Sequence, residues 1–245
     1  MKKIFFLPIL FWVGILSAQN IEGSWKLVHM NGEDVTNREV IRIYQDGYFA
    51  HGVKSLPDNS FMSAAGGEFS LTDDETLSEK RDFDTADPEA IGVDRDFNIS
   101  WEGEDRLEVS DGVHTKIWER VADRSDALTG NWVITGRERN GEMNTMSPGD
   151  RRTVKILGGG RFQWIAFNSA TEEFSGTGGG TYSAENGIYT ENIEFFSRDD
   201  SRVGASLEFE NEVRDGEWHH KGTSSKGNPI YEIWSPYSEA YQKQK

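Results

Sequence analysis

Three side chains in the second half of the chain have the chemistry for proton transfer: Glu191, His220 and Tyr182. Glu191 stands in Ile188-Tyr189-Thr190-Glu191-Asn192-Ile193-Glu194-Phe195, where Tyr189, Ile193 and Phe195 share its strand face. A carboxylate among large apolar neighbours has its charged form disfavoured unless it is paired, which is how a general acid or base is prepared. The alternative is a structural Glu paired with an Arg or with backbone donors inside the fold. His220 ends Glu217-Trp218-His219-His220, and its imidazole suits proton transfer near neutral pH. Adjacent His residues on a strand face opposite ways, so His219 and His220 do not chelate one metal together, and no metal or other cofactor is implied. Tyr182 brings a hydroxyl that must find a partner if it is buried.

The elements around these residues read as antiparallel strands. From Gly178 to Gly222 the chain runs in short segments of alternating polarity, rich in aromatic and β-branched residues and separated by Gly, Asn and Asp turns. The pattern occurs twice. Gly23-Ser24-Trp25 pairs with Gly130-Asn131-Trp132, Ile41-Arg42-Ile43 with Val154-Lys155-Ile156, and Gly66-Gly67-Glu68-Phe69-Ser70 with Gly179-Gly180-Thr181-Tyr182-Ser183. Lys116-Ile117-Trp118 then pairs with Glu232-Ile233-Trp234. Repetition in the same order and spacing implies two copies of one β module. Each copy holds roughly eight strand candidates, enough to close into a small barrel that leaves no exposed edge.

The expected fold is therefore all-β, with two tandem lipocalin-like antiparallel barrels after a signal peptide. The expected boundaries are 1–18 for the signal, 19–122 for the first barrel and 127–245 for the second. Lys2 and Lys3, the apolar run Ile4 to Leu16 and the small pair Ser17-Ala18 read as a secretory leader too short for a stable membrane anchor. A periplasmic or secreted location is expected. The sequence has no Cys, so neither a disulfide framework nor a lipidated Cys anchor is expected. Asp plus Glu outnumber Lys plus Arg by 42 to 26, a field that repels nucleic acid and anionic membrane. The acidic segment from Asp73 to Asp96 reads as a solvated loop inserted in copy one, and the oligomeric state is left open.

Comparing the copies assigns faces. Phe162, Trp164 and Ala166 point into the second barrel, while Arg161 and Gln163 point outward or sit at its rim. Trp218 and His220 point inward where Leu107 and Val109 stand in copy one.

The Gly-x-Trp first strand, the Gly-x-Phe hairpin, the Gly-Gly-x-aromatic-Ser strand and the Trp-bearing last strand resemble the calycin, or lipocalin-like, bacterial families. Copy two, from Arg161-Phe162-Gln163-Trp164 to Tyr231-Glu232-Ile233-Trp234, further resembles secreted proteins of polysaccharide-degrading Bacteroidota, encoded in glycan (ulvan-type) utilisation loci. That resemblance implies an oligosaccharide dehydratase, a carbon–oxygen lyase that eliminates water from a non-reducing-end uronic acid. On this reading His220 is the base, Tyr182 the proton donor, and Arg161 or a protonated Glu191 the partner of the sugar carboxylate. Trp164 and Trp234 stack on sugar faces, and Tyr189 adds to the substrate-binding wall. The alternative is a non-catalytic carrier that holds an oligosaccharide or a small apolar ligand in its barrel.

Overall fold

The computed structural model describes residues 20–122, 124–224 and 226–242. The expected signal peptide lies outside them. Alternating polarity produces two closed antiparallel sheets whose strands pair in sequence order. In the first, β1 (Gly23–Met30) is followed by a short hairpin strand β2 (Glu33–Asp34), then β3 (Arg38–Gln45), β4 (Tyr48–Ser55) and β5 (Phe61–Asp73). β6 (Thr76–Asp84), β7 (Asp94–Trp101), β8 (Arg106–Ser110) and β9 (Thr115–Ala122) complete it, and β9 pairs back onto β1.

The second sheet repeats the plan. β10 (Gly130–Arg139) and its hairpin strand β11 (Glu142–Thr145) lead to β12 (Arg151–Gly158), β13 (Arg161–Asn168) and β14 (Glu173–Glu185). β15 (Ile188–Phe196), β16 (Ser206–Arg214), β17 (Glu217–Thr223) and β18 (Pro229–Pro236) follow, and β18 closes onto β10. A final helix α1 (Tyr237–Gln242) comes last. The protein is thus two up-and-down barrels of lipocalin-like architecture, each with eight strands around the circuit once the short hairpin strand is set aside. Among the described residues no helix is long and apolar enough to cross a membrane.

The copies match in detail. Trp25 Nε1 donates to the Ile21 carbonyl at 2.8 Å, and Trp132 Nε1 donates to the Leu128 carbonyl at 2.9 Å, so one indole fills the same end of each barrel. Each lumen has its own apolar core, with Trp25, Leu77 and Leu107 in the first and Trp132, Tyr189 and Trp218 in the second.

Residues pointing away from both lumens form a third core between the barrels. Ile43, Ala50 and Phe83 of the first meet Val154, Ile165 and Phe167 of the second. This explains Gln163, which points out of its own barrel as the alternation requires and is nonetheless buried, with Nε2 donating to Thr177 Oγ1 at 3.1 Å and to the His51 carbonyl at 3.3 Å. The tight hairpin between β12 and β13 brings the left-handed Gly159 against the first barrel, where its carbonyl accepts from Ser24 Oγ at 3.0 Å.

Two expectations are corrected. The acidic stretch from Asp73 to Asp96 is no solvated insertion: it contains β6 and the start of β7, with Leu77 and Glu79 buried in the lumen. Its charges fall mostly on outward strand positions and on the connection between strands, which makes a barrel wall look like a loop in composition. Phe195 does not share the interior face of Tyr189, Glu191 and Ile193. Register shifts between Gly179 and Gly180, where Ile193 pairs with Gly180 and Phe195 with Gly179. The extra residue, Glu194, turns Phe195 out to the barrel interface, where its ring stacks on Phe61, and turns Phe196 in against Trp164.

Candidate functional site

Each lumen is crossed by one buried ion pair. In the second barrel Lys155 Nζ on β12 lies 2.6 Å from Glu191 Oε1 on β15. At the same positions in the first barrel, Arg42 on β3 lies 2.7 Å from Glu79 on β6. A buried charge is tolerated when it is paired and its remaining surface meets polar or π-electron density. Both cations meet that condition: Lys155 sits over the rings of Tyr189, Trp218 and Trp234 at 5.1–5.3 Å, and Arg42 over Tyr44, Phe49 and Trp118 at 4.9–5.6 Å.

Beside the Lys155–Glu191 pair lies a second polar group. His220 on β17 stands directly across from Glu232 on β18, with His220 Nδ1 3.6 Å from Glu232 Oε2. Arg137 on β10 donates to the other carboxylate oxygen. Burial pushes the Glu232 carboxyl up, but His220 and the charge of Arg137 outweigh it and hold the pKa at about 2. Burial also lowers the His220 pKa, with the nearby Lys155 charge acting in the same direction and Glu232 opposing both. The imidazole is therefore neutral at pH 7; its Nδ1 faces Glu232, and among the described residues Nε2 has no hydrogen-bond partner. Phe209, Trp218 and Tyr189 surround it, with ring centroids at 4.1, 5.3 and 5.7 Å.

These groups face a cavity of about 430 Å³, within the usual range of ligand pockets, roughly 300–1,000 Å³. It opens where β10 ends, between the β15–β16 and β17–β18 connections. Lys155, Arg137, Arg198, Arg202 and Lys226 contribute cations to its lining, against the carboxylates of Glu191 and Glu232. Trp164, Phe196 and Trp234 supply aromatic surface. Chemically, the site offers a neutral base, a surplus of positive charge and flat apolar walls inside a protein whose formal net charge is −16.

Of the residues singled out from the sequence, the structure brings His220, Glu191, Trp164 and Trp234 together on this cavity. Tyr189 lies behind the lining, buried against His220. Tyr182 does not reach the cavity: it sits at the end where β10 begins, with its hydroxyl 3.4 Å from Thr129 Oγ1 and Arg124 over its ring. Burial raises its pKa, so it stays a neutral phenol. Arg161 is also elsewhere, on the outer wall facing the first barrel, where it pairs with Glu194. Glu191 is already engaged by Lys155, so the expected role of Glu191 as partner of a substrate carboxylate does not suit this geometry.

Lys155, Arg137, Glu232 and Arg198 are site residues that the sequence does not single out. A signal was available for Lys155. It and Arg42 occupy matching places between two apolar β-branched residues, the same kind of setting that drew attention to Glu191.

No family model matches the chain, and no curated protein matches it either. Among solved structures it is similar to transferrin binding protein B, a vaccine antigen from Haemophilus parasuis solved as a tryptophan-to-alanine mutant, with 9% identity and a TM-score of 0.21. The alignment covers 80% of this chain and 60% of that one, so the chain spans less than two thirds of that protein's length. The fold assignment rests on the strand pairing itself.

Proposed function

We propose that the second barrel takes up the carboxylate-bearing end of a uronic-acid oligosaccharide, and that the protein is an exported component of polysaccharide degradation. The supporting observation is the charge of the cavity: five cationic side chains and two carboxylates line it, against the sign of the molecule as a whole. Arg198, Arg202 and Lys226 stand on the connections around the mouth, and Trp164 and Trp234 present faces on which a sugar ring packs. A small apolar ligand would desolvate the charged groups of the lining without interacting with them, at a cost that disfavours it.

Elimination of water is a second reading, favoured by His220. A neutral imidazole oriented by Glu232 at Nδ1, with no hydrogen-bond partner at Nε2 among the described residues, suits removal of the proton from the carbon next to the carboxylate. The electrons of that C–H bond form the C=C bond, the C–O bond breaks, and the departing hydroxide needs a proton to leave as water. With Tyr182 outside the cavity lining, the imidazolium formed in the first step is the nearest donor, which requires proton and hydroxyl to lie on one face of the ring.

The test is to mix the mature protein with a panel of uronate-ended oligosaccharides and record tryptophan fluorescence together with the near-ultraviolet absorbance of an unsaturated uronate. Saturable quenching with flat absorbance supports the carrier. Growing absorbance that disappears in His220→Ala supports the dehydratase. No response to any member of the panel refutes both.

A further inference from the structure

The first barrel has a cavity of its own, about 290 Å³, at the end matching the mouth of the second. Its lining occupies equivalent strand positions: Arg42 stands where Lys155 does, His51 where Trp164 does, Trp118 where Trp234 does. One exchange inverts the chemistry. Across from Val109, at the position that Glu232 takes opposite His220, the first barrel carries Lys116.

The resulting cavity has Arg38, Arg42, His51 and Lys116 in its wall and no carboxylate. Arg42 is balanced by Glu79, but among the described residues no carboxylate pairs with Lys116 or Arg38. Arg42 NH2 lies 3.2 Å from His51 Nδ1. A guanidinium can only donate, so Nδ1 accepts and the imidazole proton sits on Nε2 as a donor. Burial and the charges of Arg42, Arg81 and Lys116 hold the His51 pKa well below its ordinary value, which keeps the ring in that neutral form. Two buried donors, Arg42 Nε and Trp118 Nε1, have no hydrogen-bond partner among the described residues. Unpaired cations and unused donors around a void are costly unless an anion fills it.

We infer that the first-barrel lumen, through Lys116, Arg38, Arg42 and His51, binds a small tetrahedral oxyanion, sulfate or phosphate, either free or as the ester at the end of a sugar. The inference does not depend on the reading of the second barrel.

The experiment is isothermal titration of the full mature protein with sodium sulfate, sodium phosphate and a sugar sulfate monoester, against sodium chloride at equal ionic strength. The expected result is saturable binding of at least one of the free oxyanions or of the ester, and none of chloride. Lys116→Met and Arg38→Met should each weaken it by about tenfold or more, the loss of one charge-assisted contact. Lys116→Met should fold at least as stably as the parent, because it removes an uncompensated cation. His220→Ala, in the other barrel, should leave the affinity unchanged. Ester binding as tight as that of the free ion assigns the site to a sulfated or phosphorylated sugar, and rejection of the ester assigns it to the free ion. Absence of saturable binding, or unaltered affinity in both methionine variants, overturns the proposal.

Discussion

At the scale of single residues, the lumens are organised by charges that would be intolerable alone. Lys155–Glu191 and Arg42–Glu79 each place one cation and one carboxylate in an aromatic cage, and their recurrence at matching positions assigns them first to architecture. Breaking such a pair from one side strands a buried charge, whereas the pair itself contributes little against a well-packed apolar replacement. His220 differs because the matching position in the first barrel is Val109, so the shared architecture does not require it. Its burial has a consequence for stability. The unfolded chain protonates the imidazole near 6.5, while the folded pKa lies lower, so below that pH the unfolded state binds more protons and is favoured. His51 contributes in the same direction. Glu232 adds a later loss, between its ordinary 4.5 and its folded value of about 2, as its carboxylate is protonated. Urea denaturation across pH is therefore expected to give a stability that falls on acidification from about 6.5, with a further loss below 4.5. His220→Gln should flatten the upper part of that fall. An unchanged upper slope would mean that His220 titrates alike in both states.

At the scale of elements, a matching β-bulge stands in each barrel on the wall that carries the buried carboxylate. In the second, a Cβ on Gly180 would lie 1.9 Å from the Asn192 carbonyl oxygen, and in the first a Cβ on Gly67 would lie 1.9 Å from the Lys80 carbonyl oxygen. Neither backbone can yield without opening the ladder. Gly180→Ala should lower the stability measured in urea by about 3 kcal/mol, the upper end of ordinary overpacking. A loss under about 1 kcal/mol would show that the bulge relaxes freely. The bulge also marks the limit of what the sequence reveals. Alternation located the strands, set Trp164 and Ala166 inside, and placed Trp218 and His220 against Leu107 and Val109. It failed at Phe195 because counting by twos assumes an unbroken ladder, and the inserted Glu194 exchanges the faces of Phe195 and Phe196. It failed differently at Tyr182 and Arg161. Face alone does not say at which end of a barrel a residue lies, or that a second barrel covers its outer wall. Arg198 at the mouth was illegible for a related reason: it stands on a connection, where no periodicity applies.

At the scale of the whole molecule, three cores are stacked, and the middle one belongs to neither barrel. It joins Phe83 to Phe167 with ring centroids at 5.5 Å, and Ile165 and Val154 are fully buried within it. Polar contacts flank the apolar centre: Asp46 Oδ2 accepts from the Asn131 backbone N–H at 3.0 Å, and Arg152 reaches Asp82 at 3.5 Å. Each lumen nonetheless holds an apolar cluster of its own, large enough to sustain a small domain. The interface is therefore expected to act as a coupling between two units, each with a core of its own. The parent protein should unfold in calorimetry as a single transition whose calorimetric and van't Hoff enthalpies agree. Ile165→Asp places an unpaired carboxylate in the middle core and leaves both lumens untouched, so it should split that transition in two, each with roughly half the enthalpy per mole, since enthalpy scales with residues unfolded. The first-barrel component should still shift upward with added sulfate if that lumen holds an oxyanion, because a ligand stabilises only the unit that binds it. A single transition persisting at lower temperature would mean that neither barrel stands without the other, and that the lumens are two halves of one cooperative fold.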